Sequence, residues 1–395
     1  MADTPVTDER VGLITIARAW TRIGCTGFGG PPAHIALLRR LCVADRKWLT
    51  AEEFEQGIAV CNLLPGPAST QLAILCSWKL RGTLGALVGG VCFIVPGLVA
   101  ILALSVLFLA GHPPLWVRGA AAGAGAAVPA VAVHAAASLL PASWSRIAGD
   151  RAAQRRWLVY FVAGVVASAL LGPFLVLVLL ACGVAEAAAR RAWRPPAGGL
   201  GVLWPLGVVP AGVASVAAAG GLGALTWVAL RVGALSYGGG FVIIPLMQHD
   251  AVHTYHWMTG VQFLDAVALG QMTPGPVVQT IAVVGYAAAG VGGGLLAALV
   301  AFAPSFGFVL LAAPRLERLR ASSAVNGFLG GAGPAALGAI AGSGISLTRA
   351  LAHGWQFGVT AAALVWLLGL RRGVVVALVG AGVLGVVAVL VGAPV

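Results

Sequence analysis

Apolar stretches alternate along the chain with short polar or basic connections. They cover roughly residues 11–37, 54–78, 82–110, 115–138, 157–171 and 173–189, then 200–221, then 222–248, 261–287, 290–313, 325–347, 354–370 and 373–392. The plan is six segments, one, and six. A helix rising 1.5 Å per residue crosses the hydrocarbon layer of a bilayer in about 20 residues. The stretch from Trp157 to Ala189 exceeds one crossing and is interrupted by Gly172-Pro173, which predicts a helical hairpin there.

The two sets of six are copies. Residues 22–71 align without a gap on 231–280 at an offset of 209, and 14 of the 50 positions are identical. The matches include Arg22/Arg231, Gly29-Gly30/Gly238-Gly239, Trp48/Trp257, Phe54/Phe263 and Pro65-Gly66-Pro67/Pro274-Gly275-Pro276. Similarity of composition alone would not set these in one frame. The chain therefore divides into a first repeat, 1–195, a linking transmembrane helix, 196–221, and a second repeat, 222–395.

Equivalent loops carry opposite charge signatures. Arg39, Arg40, Arg46 and Lys47 follow the first segment, whereas His249–His256 contains no Lys or Arg. Lys79 and Arg81 face a neutral Ala287–Gly290, and Arg315, Arg318 and Arg320 face a linker, 111–118, with one Arg. Basic loops stay cytoplasmic, so the halves are expected to insert in opposite orientations, with the linking helix as the odd crossing. The loops 39–47 and 79–81 are both basic, so the segment between them should enter and leave on one side, turning at Pro65-Gly66-Pro67. The segment holding Gly29-Gly30 and both copies in the second half are expected to be re-entrant too. The fold class is an all-α polytopic membrane protein with re-entrant or broken helices.

Composition agrees: 59% of residues are hydrophobic and 9% charged, against about 25% charged in soluble domains. The net charge of +12 sits in loops without interleaved aromatics, so nucleic acid is not an expected partner; the lipid bilayer is. The N-terminal MADTPVTDER lacks a basic signal region and is expected to be retained. Six cysteines form no C-x-x-C pair and the histidines no ligand spacing, so neither a metal nor another cofactor is expected, and the histidines read as loop or interface residues. No hydrolase, zinc-protease or nucleotide-binding motif occurs, which argues against an enzyme or a nucleotide-driven pump.

Pro-Gly-Pro inside an apolar segment removes two amide donors and breaks the helix, and the next half-helix points its free amides into the break. Ser69, Thr70 and Gln71 stand at that start in the first copy, Gln279 and Thr280 in the second, and Asn62, Gln271 and Thr273 precede the breaks. One such motif is an ordinary kink; two in inverted register make an oxyanion site. Arg22 and Arg231 are candidates for charge compensation, although an Arg near a segment end also snorkels to headgroups. Asp265 and Glu55 are the candidates for proton coupling, and a carboxylate that merely pairs with an Arg would look the same.

The strings GCTGFGGPPAHIALL, NLLPGPASTQLA, RVGALSYGGGFVIIPLMQ and FLDAVALGQMTPGPVVQTIAVVGY together resemble the chromate ion transporter family in its long, two-domain form. The resemblance implies export of chromate, with sulfate as the similar anion, across the inner (plasma) membrane, and hence chromate resistance. It leaves open a sulfate carrier, a passive anion channel, and whether the protein is a homodimer.

Overall fold

The computed structural model describes residues 11–62, 64–109, 113–171, 174–190, 221–236, 240–315 and 322–395. The linking helix, the Gly172-Pro173 turn, Gly238 and Gly239 lie outside the described residues. What is described is helical and falls into two matching sets of seven. The first is α1 (Leu13–Thr26), α2 (Pro31–Arg39), α3 (Ala51–Cys61), α4 (Ala68–Phe108), α5 (Leu115–Ser145), α6 (Arg151–Val166) and α7 (Leu175–Ala189). The second is α8 (Gly221–Leu235), α9 (Ile244–Gln248), α10 (Gly260–Met272), α11 (Thr280–Ala312), α12 (Ser323–Arg349), α13 (Gly354–Leu364) and α14 (Val374–Leu390). Among the described residues, four helices, α4, α5, α11 with its leading turn, and α12, are long and apolar enough to cross a membrane.

Local chemistry repeats along with the sequence. α3 and α10 both begin at a threonine whose hydroxyl accepts the amide three residues on, while that residue's side chain returns to the threonine amide: Thr50 with Glu53, Thr259 with Gln262. This reciprocal cap satisfies two amides that a helix start otherwise leaves open. α2 and α9 both run on into wide turns, Arg40–Asp45 and His249–Thr254. Lys47 and His256, a matched pair, both take left-handed backbone just before the matched tryptophans.

Each long helix α4 and α11 is two helices folded back on each other. At Arg81-Gly82 and at Ala289-Gly290 the backbone leaves helical geometry, with φ/ψ of 60/−149° at Gly82 and 64/−157° at Gly290. Only glycine occupies this region readily. The fold-back brings Gly85 and Gly89 against Ser77, and Gly293 against Gly285. Residues 68–80 consequently pair with α3 rather than extend the crossing: Lys79 Nζ lies 3.7 Å from Glu53, and Gly57 packs on Leu72 and Leu75. These contacts centre on Gly66, the tip of an antiparallel hairpin whose two ends lie together. Gly270 against Thr280 builds the same hairpin around Gly275.

The fold-backs also correct the repeat register. Gly82/Gly290 and Pro96/Pro304 match at 208, not 209. The second copy is one residue shorter after its tip, where a tight turn, Val277–Gln279, replaces the first α-helical turn. Gln279, not Thr280, is therefore the counterpart of Gln71.

Beyond the fold-backs, α4 and α11 cross antiparallel: Gly90 meets Phe306, and Leu102 meets Gly294. Equivalent helices that run antiparallel against each other are what inverted repeats produce. The remaining helices are exchanged between halves. α5 packs on α13 and α14, and α12 on α6 and α7. Glycines allow the close approach, with Gly123 against Ala381 and Gly385, and Gly338 against Phe161. Thr360 Oγ1 donates to the Ala126 carbonyl at 2.6 Å across one such crossing. α6 and α7 are themselves joined at their basic ends by Glu186, which accepts from Arg156 Nε at 2.8 Å and Arg190 Nε at 2.6 Å.

Candidate functional site

The two hairpin tips lie against the crossing of α4 and α11, each held by the opposite half. Tip one, Pro65-Gly66-Pro67, sits beside Ser305 of α11; tip two, Pro274-Gly275-Pro276, sits beside Gly97 of α4. Gly97 and Ser305 are themselves counterparts at the offset of 208. Because Gly90 faces Phe306, the level of Ser305 is six residues from Gly97 along α4, which sets the tips about 9 Å apart along the crossing.

Each half-helix starts uncapped. Pro67 and Pro276 occupy the cap positions and no side chain caps either start. The first amides of these helices have no acceptor within their own helix. Gly66 and Gly275 turn the chain with φ of 120° and 108°, so neither position accepts an ordinary side chain without strain. In and beside them are several buried polar atoms with no hydrogen-bond partner: Thr70 Oγ1, Gln71 Oε1, Gln271 Nε2, Gln279 Oε1 and Ser305 Oγ. A buried polar group normally finds a partner, and orphans gathered at one place mark a spot built for something that hydrogen-bonds.

Other polar groups there are already engaged. His34, fully buried, bridges the break after α1 to tip one. Its Nε2 lies 2.8 Å from the Gly27 carbonyl, which can only accept, so Nδ1 is the acceptor for the Ser69 hydroxyl at 3.3 Å. The same Gly27 carbonyl accepts the Gly275 amide at 3.0 Å, tying the first break to tip two. Gln71 Nε2 donates to the Pro65 carbonyl and Gln279 Nε2 to the Ile94 carbonyl. The Thr273 and Thr280 hydroxyls return to Leu269 and Val277, each at 2.8 Å. Gly30 comes within reach of Val277, and Gly29 heads the same break. Asn62 ends α3 on the exposed side of the hairpin.

The ionisable candidates have surroundings of their own. Arg231 does not stand alone: its Nη2 pairs with Asp250 at 2.5 Å, and its guanidinium lies 5.1 Å over the Trp227 ring. Asp250 lies in the loop that the sequence reading treated only as lacking Lys and Arg. Arg22 is exposed on α1. Glu55 forms a half-exposed ion pair with Arg39 at 3.2 Å. Asp265 sits on α10, about 12 Å along the helix from Thr273. It lines an apolar crevice of about 250 Å³ with Phe108, Trp116, Leu269, Val379 and Val383, and its Oδ1 is buried without a partner. No group of three or more metal-ligating side chains occurs among the described residues.

Comparison with known proteins decides the family. The chromate transporter family model matches residues 14–187 and 223–386, one match in each half. The chain belongs to the chromate transporter family. This transporter is 32% identical over 338 residues to a chromate transport protein of Cupriavidus metallidurans, covering 83% of the chain and 80% of the relative. It is 30% identical over 355 residues to a chromate transport protein of Pseudomonas aeruginosa, covering 84% and 80% respectively. A probable chromate transport protein of Synechococcus elongatus is 28% identical over 353 residues, covering 86% of each. No solved structure matches the chain. The transporter is thus a multi-pass helical membrane protein, and the tips lie inside both matched regions.

Gly97, Ser305 and Asp250 have no place in the sequence reading, and His34, read there as a loop or interface histidine, is instead fully buried between Gly27 and Ser69. Gly97 and Ser305 are legible in the sequence, since each directly follows a matched proline, but they lie beyond the gapless alignment, which ends at residue 280.

Proposed function

We propose that this transporter is a secondary carrier that exports chromate across the plasma membrane and so confers chromate resistance, with sulfate as the similar cargo. The first repeat, 1–195, and the second, 222–395, would insert in opposite orientations through the linking helix 196–221 and alternate access to an anion bound at the Pro-Gly-Pro tips. The observation that carries this reading is the cluster of buried, unpartnered hydroxyl and amide groups at two uncapped helix starts, where no tip residue carries a charge. A tetrahedral oxyanion presents several acceptor oxygens, and helix-start amides and hydroxyls are complementary to it. The names of the relatives support chromate as the cargo. A permanently negative side chain at the tips would oppose binding, and Glu55 and Asp250 are instead paired elsewhere. Asp265 is the remaining group for coupling transport to protons.

Counter-flow of labelled chromate in proteoliposomes of the purified protein tests the reading. A carrier accumulates label when unlabelled chromate is loaded on the trans side, and sulfate competes. Flux without trans-stimulation would mean a channel, and no flux above that of empty liposomes would remove chromate as cargo.

A further inference from the structure

The two tips are copies in sequence but not in chemistry. At tip two the hydroxyl and the turn amide are already engaged. The Gly275 amide is spent on Gly27, the Gln279 Nε2 on Ile94 as Gln71 Nε2 is on Pro65, and the Thr280 hydroxyl on Val277, which leaves only the amide atoms Gln279 Oε1 and Gln271 Nε2 open and no hydroxyl. Val277 and Val278 stand where the first copy has Ser69 and Thr70, and they pack against Gly240. Gly97, facing this tip, has no room for a Cβ because the Pro274 carbonyl and the Gln279 side chain already fill that space.

Tip one has the opposite character. Where tip two meets Gly97, tip one meets Ser305. This serine is fully buried, its hydroxyl has no partner, and its Oγ lies 3.3 Å from where a Cβ on Gly66 would be. Two buried serines of α4 return the hydroxyl to the preceding turn: Ser105 donates to the Ile101 carbonyl at 2.7 Å and Ser77 to the Ala73 carbonyl at 2.9 Å. Ser305 forgoes that local bond. The Thr70 hydroxyl, on the first turn behind tip one, is equally buried and equally unpartnered. The half-helix behind these groups, residues 68–80, runs long enough to present a full dipole, and its cap is open.

We propose that the chain binds one tetrahedral oxyanion, at tip one only, between the amides that open the half-helix, the Thr70 hydroxyl and the Ser305 hydroxyl of the opposite half. Tip two is then a fixed brace that ties the first break to α4. This assignment rests on the oxyanion-carrier reading and narrows it to one site. It also gives the anion a direct role in alternating access, because its ligands come from both halves and any relative movement of α11 and the first hairpin remakes the site.

The test is equilibrium binding of labelled chromate to the purified full-length protein, together with initial rates of transport, for wild type, Ser305→Ala, Ser305→Thr and Thr280→Val. One site per chain is expected. Ser305→Ala should weaken binding and raise the apparent KM about tenfold or more, the usual loss for a hydrogen bond to a charged group. Its melting temperature should stay near wild type, and Ser305→Thr, which restores a hydroxyl, should recover most of the affinity. A merely structural serine would change melting temperature rather than KM. Two sites per chain, or a loss from Thr280→Val equal to that from Ser305→Ala, overturns the single-tip assignment. So does unchanged affinity in Ser305→Ala when wild type transports. Absence of chromate binding and transport in wild type overturns the carrier reading and the site together.

Discussion

At the residue scale, charge inside the apolar segments turns first on Arg231. Read from the sequence, Arg231 is an isolated cation in an apolar segment. In the fold it is the partner of Asp250, with Asp250 5% and Arg231 22% exposed. Arg231→Gln leaves a buried carboxylate unpaired, at a cost of about 1–3 kcal/mol, below the roughly 3–5 of a fully buried pair because Arg231 keeps some exposure. Thermal unfolding in detergent should show that loss, and adding Asp250→Asn should restore part of it. The folded Arg231→Gln protein should bind chromate with near wild-type affinity, whereas a selective loss of affinity would return Arg231 to the site. Asp265 makes a separate case, since neither α5, α4 nor α14 offers it a charged group within the crevice. Asp265→Asn is expected to keep chromate exchange and abolish uptake driven by a pH gradient in inside-out vesicles. If pH-driven uptake survives, the carboxyl is structural. Pairing of this kind is invisible in a sequence because Asp250 is 19 residues away and joined to Arg231 only by folding.

At the element scale, the breaks were legible and their consequences only partly so. Pro-Gly-Pro announces a helix end because proline has neither the amide nor the room to continue one. Arg81-Gly82 was legible as a boundary between apolar segments, but not as the fold-back that turns 68–80 into half of a hairpin. Gly82 and Gly290 are the residues on which the fold-backs depend, and neither has a neighbour within 4 Å of a would-be Cβ. Substitution by alanine therefore tests backbone strain alone. Gly82→Ala and Gly290→Ala should each cost about 1–3 kcal/mol of stability. Gly292→Ala, equally open but helical, should be neutral or gain up to about 1 kcal/mol. Equal melting temperatures for all three would mean that the fold-backs are not held by these glycines.

At the scale of the whole molecule, inversion could be read from loop charges, because the basic residues of one half face neutral counterparts in the other. The exchange of α5 and α12 between halves could not. Their buried faces are nearly uniform alanine and glycine, which fit any close neighbour and name none. Inversion itself predicts that cysteines introduced at Asp45 and Thr254, in a background without native cysteines, react with an impermeant thiol reagent from opposite faces of the membrane. The central claim is that an oxyanion is carried at the first tip by halves that alternate access to it. A single cysteine at Ala68, on the first turn behind Pro67, reports on this most directly. The account predicts slow modification from either side of the membrane, and protection by chromate with a midpoint near the apparent KM for transport. Modification from neither side, or at a rate that saturating chromate leaves unchanged, would contradict it.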